Sequence, residues 1–147
     1  MRLMMTITIL LGSLVSGWAQ SSAGSSKADS KRVASFYHSK FDGRKTATGE
    51  VFRSTNYTAA SNQLKLGTFI KVTNVRNGKV VYVKVNDRMA AHNKRLVDLT
   101  STAAEQLHFK EQGTTQVLLE VVTDDEGRNG ILAQRESNQP TRGKNTL

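Results

Sequence analysis

The sequence predicts an all-β domain: a small closed barrel with one short helix. Three observations carry this. Residues alternate in apolar character over Thr68–Asn74 and again over Lys79–Asn86, and Asn77-Gly78 stands between the two runs. Short β-branched stretches recur at Val33–Tyr37, Tyr57–Ala60, Arg95–Asp98 and Gln116–Val122. Only one segment has a helical pattern. Asn-Gly between alternating β-branched residues is a strong hairpin signal, because both positions of a two-residue turn need positive φ. In the second strand Val81, Val83 and Val85 share a face and are expected in the core, with Val80, Tyr82 and Lys84 opposite. The helix is expected to start at Thr100 or Ser101, with Thr102 and Glu105 as a capping box and Ala103 and Leu107 on one face. Gly113 follows its end. Many short strands and one helix in about ninety residues favour a closed barrel over an α/β sheet.

The ends of the 147-residue chain read differently. Arg2, an uncharged and mostly apolar run from Leu3 to Val15, and small residues at Gly17 and Ala19 have the layout of a secretory signal over 1–19. The run is too short for the ~18 apolar residues of a membrane span. Residues 20–32 are Ser-, Ala-, Gly- and Lys-rich and read as a flexible tether. Residues 124–147 hold one short apolar patch and the single proline, and are expected to be a disordered tail. The barrel is assigned to 33–123. The chain has no cysteine, which excludes disulfides, thiolate chemistry and a lipid anchor on Cys. The net charge of +9 points to a polyanionic partner. The basic residues are scattered rather than gathered on a helix or interleaved with aromatics, and export disfavours nucleic acid as that partner.

The order of short motifs resembles the rare lipoprotein A family. Ala34-Ser35-Phe36-Tyr37 and Phe41-Asp42-Gly43-Arg44-Lys45-Thr46-Ala47-Thr48-Gly49-Glu50 look like the family's opening. Thr58-Ala59-Ala60, Leu66-Gly67-Thr68, Val72-Thr73-Asn74, Asn77-Gly78, Val85-Asn86-Asp87-Arg88 and Val97-Asp98-Leu99-Thr100 follow in the family's order. The resemblance covers nearly all of Val33–Val122. It implies a six-stranded double-psi β-barrel, the fold shared with expansins. It also implies an endolytic transglycosylase acting on peptidoglycan glycan strands in septal and cell-wall remodelling, with no cofactor or metal. A non-catalytic, expansin-like barrel that binds or loosens the wall is the alternative.

Such a transglycosylase needs one well-placed acid. The acid protonates the glycosidic oxygen while the sugar's own 6-hydroxyl closes a 1,6-anhydro ring, so a second carboxylate at glycosidase spacing is not required. Asp87 follows the apolar strand and matches the family's catalytic aspartate. Its structural alternative is pairing with Arg88 or capping a turn. Glu50, after Gly49, is the second candidate, against a plain solvated carboxylate. Asp98 reads as structural, bonded near the helix start or to Arg88 or Arg95. Where the family carries a catalytic histidine after Thr-Ala-Ala, this chain has Ser61, which cannot carry a proton at neutral pH but can orient a sugar hydroxyl. His92, in the loop after Asp87, is a possible replacement base; His38 and His108 read as surface residues. Arg88 and Lys65 are candidate cations for the lactyl groups of muramic acid. Tyr37 and Tyr57 are the aromatics placed nearest a sugar face.

Overall fold

In the computed structural model, which describes residues 32–139, the valine alternation becomes the spine of the molecule. Val81, Val83 and Val85 are fully buried on strand β4 (Val80–Asp87), while Val80, Tyr82 and Lys84 are half-buried on its other face. The remaining strands are β1 (Val33–Phe36), β2 (Thr58–Ala60), β3 (Phe69–Asn74), β5 (Val97–Leu99) and β6 (Thr115–Val122). They close into a ring in the order β1-β5-β2-β4-β3-β6. β1 runs parallel to β5 and β2 parallel to β4; the other four pairings are antiparallel. Closure leaves the inward side chains, Ile70, Val72, Val97, Leu99 and Val117 among them, sealed against each other with Leu107 and Phe109. The expected signal peptide (1–19) and almost all of the expected tether (20–32) lie outside the described residues.

The hairpin between β3 and β4 departs from the expected two-residue turn. Only Gly78 takes positive φ, at +72°. The connection is longer, closed by Asn74 N–H to Lys79 O at 2.9 Å and Gly78 N–H to Asn74 O at 2.8 Å. Asn74 is the reason: its buried amide donates to Leu107 O and its carbonyl accepts from Thr115 Oγ1 and Arg76 N–H. The asparagine is committed to the barrel, so the turn forms beyond it.

Helix α1 (Ser101–Gln106) begins where expected, at the N-cap Thr100, but without the expected cap. The Thr100 hydroxyl donates to Asn56 O at 2.6 Å instead, and Thr102 lies inside the helix, so no Thr102–Glu105 box forms. His108 lies beyond this helix in the left-handed region (φ +54°) and is exposed.

The largest correction concerns the tail. Of the expected tail, Asp124–Ser137 form a second helix, α2, packed on β3 and β4 rather than disordered, while residues 140–147 lie outside the described residues. Thr123 caps it, accepting from Glu126 N–H at 3.2 Å, and Asp124, Asp125 and Glu126 complement the helix dipole at its first turn. Two glycines make the docking possible: a Cβ on Gly127 would fall 2.3 Å from Cβ of Phe69, and one on Gly130 2.4 Å from the Tyr82 ring. Gln134 then bonds the β4 backbone twice, accepting from Tyr82 N–H at 2.5 Å and donating to Tyr82 O at 2.9 Å. None of the described helices is long and apolar enough to cross a membrane.

Candidate active site

Three pieces of chain meet at the end of β4. The loop from Gly43 to Phe52 is a small hairpin, zipped by Gly43 N–H to Phe52 O and Phe52 N–H to Arg44 O and by a Lys45–Val51 bridge. Its base is held by Asp42, which accepts from both N–H and hydroxyl of Ser54. Its tip turns through Gly49 at φ +86°, a conformation that L side chains avoid. The tip lies against β4: Thr48 N–H donates to Asn86 O at 3.1 Å and Ala47 N–H to Asp87 Oδ1 at 3.0 Å.

Asp87 is half-buried here. Oδ1 also accepts from Arg88 N–H at 2.8 Å, and Oδ2 accepts from the Tyr37 hydroxyl at 3.2 Å. Tyr37 leaves the end of β1 with its N–H on Leu99 O, and its ring is wedged edge-on against Phe52 (5.0 Å) and Phe41 (5.9 Å). Burial, with the adjacent Asp87 charge second, holds the Tyr37 phenol well above its ordinary value. The phenol is therefore the donor in its bond to the Asp87 carboxylate.

Glu50 sits on the far side of the same loop. It accepts from the buried Asn86 amide at 2.7 Å and from Lys84 Nζ at 3.0 Å. Those two bonds, Asn86 first, hold its carboxyl below the usual value. Stability should follow. Because the folded value lies below the ordinary 4.5, the stabilisation exists above that pH and is lost as the pH falls through the folded value. The melting-temperature gap between parent and Glu50→Gln is thus expected at pH 7 and should close on acidification below 4.5. A gap independent of pH would assign the effect to shape rather than charge.

The other expected site residues are distributed differently. Ser61 is fully buried, and its hydroxyl donates to Leu96 O at 2.9 Å, away from the Asp87 carboxylate; it meets Asp87 only through the backbone, N–H to O at 3.1 Å. It cannot touch a sugar. Arg88 is likewise spent on structure, its guanidinium donating to the carbonyls of Ser61 and Leu64 and fixing the turn after β2. Tyr57 is buried, its hydroxyl accepting from Asn138 at the end of α2, and it lines the cavity beside Glu50. Lys65 is exposed in the turn closed by Thr68 N–H to Lys65 O. His92 is exposed and lines a separate hollow with Val33, Asn93, Lys94 and Arg95, so the fold does not bring it to Asp87. Asp98 is structural as expected, bonded to Ser35 and to Arg95 Nε at 3.2 Å. Missed from sequence were the hydrogen bond of Tyr37 to Asp87 and an open cavity of about 510 Å³ walled by Glu50, Asn86 and α2.

A closed six-stranded ring with two parallel pairs, carrying a strand-end carboxylate held by a loop amide and a tyrosine, defines the class as a double-psi β-barrel. The family described as lytic transglycolase matches residues 30–119, and the chain belongs to it. The endolytic peptidoglycan transglycosylase RlpA of Haemophilus influenzae is 43% identical over 90 residues, covering 61% of this chain and 31% of that protein. The RlpA of Pasteurella multocida is 39% identical over 113 residues, 73% of this chain and 38% of that one. The chain thus spans about a third of the length of these relatives. Among solved structures, the fungal elicitor cerato-platanin superposes with a TM-score of 0.54 at 15% identity, covering 67% of this chain and 98% of that one. A Clavibacter michiganensis expansin gives 0.50 at 22%, covering 63% and 49%. At those identities the likeness is one of fold.

Proposed function

We propose that this protein cleaves peptidoglycan glycan strands as a lytic transglycosylase, with Asp87 as the general acid. The observation that carries the reading is the seat of Asp87: at the open end of β4, half-buried, with Oδ1 anchored by two amides and Oδ2 paired only with Tyr37. In this reading protonated Asp87 delivers its proton to the glycosidic oxygen as the C1–O bond breaks. The sugar's 6-hydroxyl oxygen bonds to C1, and its proton passes to the Asp87 carboxylate, which restores the acid and leaves a 1,6-anhydro end. No water is consumed. Glu50, bonded to Asn86 and Lys84 on the far side of the loop from Asp87, is assigned a supporting part: it fixes Asn86, the residue before the acid. The family membership and the RlpA relatives support this activity and substrate. Residues 1–19 have the layout of a secretory signal, which supports action in the periplasm or outside the cell.

Incubation with sacculi and with peptide-free strands should yield 1,6-anhydro products by mass spectrometry. Retention on sacculi without such products would replace this reading with the expansin-like one, which the buried Ser61 favours because no proton carrier stands at that position. Tyr37→Phe is expected to lower kcat about tenfold with KM little changed, since it removes one hydrogen bond to the acid and leaves the ring packing. A change confined to KM would instead make Tyr37 a sugar contact.

A further inference from the structure

The cavity beside Glu50 has a wall that the family domain does not supply. The family matches residues 30–119, whereas α2 begins at Asp124 and lines this cavity with Arg128, Ile131, Leu132 and Arg135. These four are spaced i, i+3, i+4 and i+7, one face of a helix, which sets the two arginines roughly 10 Å apart along its axis. Across from them stands Val51 of the Gly43–Phe52 loop; Val51 and Leu132 are each about half exposed, 45% and 53%. The charge is one-sided. Lys84 and Glu50 pair with each other at 3.0 Å, so the cations left are the arginines. Arg128 meets only the exposed Asp124 at 3.9 Å and the Phe69 ring at 5.8 Å, both weak contacts. At about 510 Å³ the cavity is of ligand size, and its Glu50 and Asn86 wall lies on the other side of the Gly43–Phe52 loop from the Asp87 carboxylate.

We infer that this cavity is a glycan subsite for a muramic acid residue whose lactyl carboxylate is free, with Arg128 and Arg135 holding the carboxylate and Val51 and Leu132 flanking the ring. Guanidinium groups match a carboxylate fork, and the exposed aliphatic residues suit the C–H face of a sugar. The inference rests on the proposed glycan substrate, and it assigns selectivity to a helix appended to the barrel.

The test is binding of the full chain, in an Asp87→Asn background that keeps the strands intact. The probes are peptide-free strands, the same strands with carboxyls converted to methylamides, and strands bearing stem peptides. Arg128→Gln/Arg135→Gln is expected to weaken binding to peptide-free strands about tenfold. Methylamidation should cost the parent a similar factor, and the two losses should not add. Melting curves check that the variant is folded. Equal binding of free and amidated strands by the parent would overturn the inference. So would a loss confined to peptide-bearing strands, which would assign the arginines to stem-peptide carboxylates. An equal loss in Arg76→Gln/Lys79→Gln, two exposed cations of the β3–β4 hairpin, would reduce the effect to net charge. Absence of anhydro products from the chain with Asp87 intact is a separate result, and it strikes the transglycosylase reading alone.

Discussion

Asp87→Asn is expected to reduce the formation of 1,6-anhydro ends by a factor of about 10² to 10⁴, the usual contribution of a positioned general acid. The substitution isolates chemistry from structure. An asparagine oxygen can still accept from the Ala47 and Arg88 amides, so the loop that carries Glu50 stays against β4. Its NH₂ can face the Tyr37 oxygen in place of the present bond. What it cannot do is give a proton to a leaving oxygen. Melting temperature and retention on peptide-free strands should therefore change little while product formation collapses. Activity within about threefold of the parent would place the acid elsewhere.

The second large effect is structural. Gly127→Ala/Gly130→Ala is expected to destabilise the protein by roughly 2–4 kcal/mol and to release α2 first. Two principles oppose each other at these positions. Alanine is favoured over glycine in a helix by about 1 kcal/mol per site, so helix propensity alone predicts a stabilised variant. Overpacking costs about 1–3 kcal/mol per site, and more where the neighbour cannot move. Here it cannot: the clash at Gly127 is with Cβ of Phe69, fixed by the β3 backbone, and that at Gly130 is with the base of the Tyr82 ring. Packing should win. Thermal melting with hydrogen exchange resolved along 124–137 would show it, and a rise in stability would mean that α2 docks loosely enough to slide.

Those same glycines explain why the helix was not legible. Two glycines, six charged residues and one short apolar patch over Asp124–Ser137 mimic a disordered tail, because the glycines that weaken a helix in isolation are what let this one dock. The signal was nonetheless present: Thr123 and Glu126 have capping-box spacing, and the Thr123 cap forms. The six strands were legible to within about two residues, since alternation of β-branched residues is a local property. Ring order was not legible from that alternation, because it depends on pairings between distant segments; it came only with the family resemblance. At the site, the position of Asp87 at a strand end could be read directly. Its bond to Tyr37, fifty residues away, could not, nor could the turn of the Ser61 hydroxyl toward Leu96. Side-chain direction in a closed barrel is decided by packing that no local pattern encodes.

The two hydrogen bonds of the Gln134 side chain to the Tyr82 backbone bear on how far the barrel is a self-sufficient module. Lys84 N–H reaches Tyr57 O, beside the start of β2; two residues earlier β2 has run out, and the Gln134 side chain takes the place of a strand there. A barrel excised at the limits of the family match would expose an unpaired stretch of sheet edge beside the Phe69 and Tyr82 rings, the kind of surface on which strands of separate molecules zip together. In this protein the limit of the family match and the limit of what folds cleanly are therefore not the same residue.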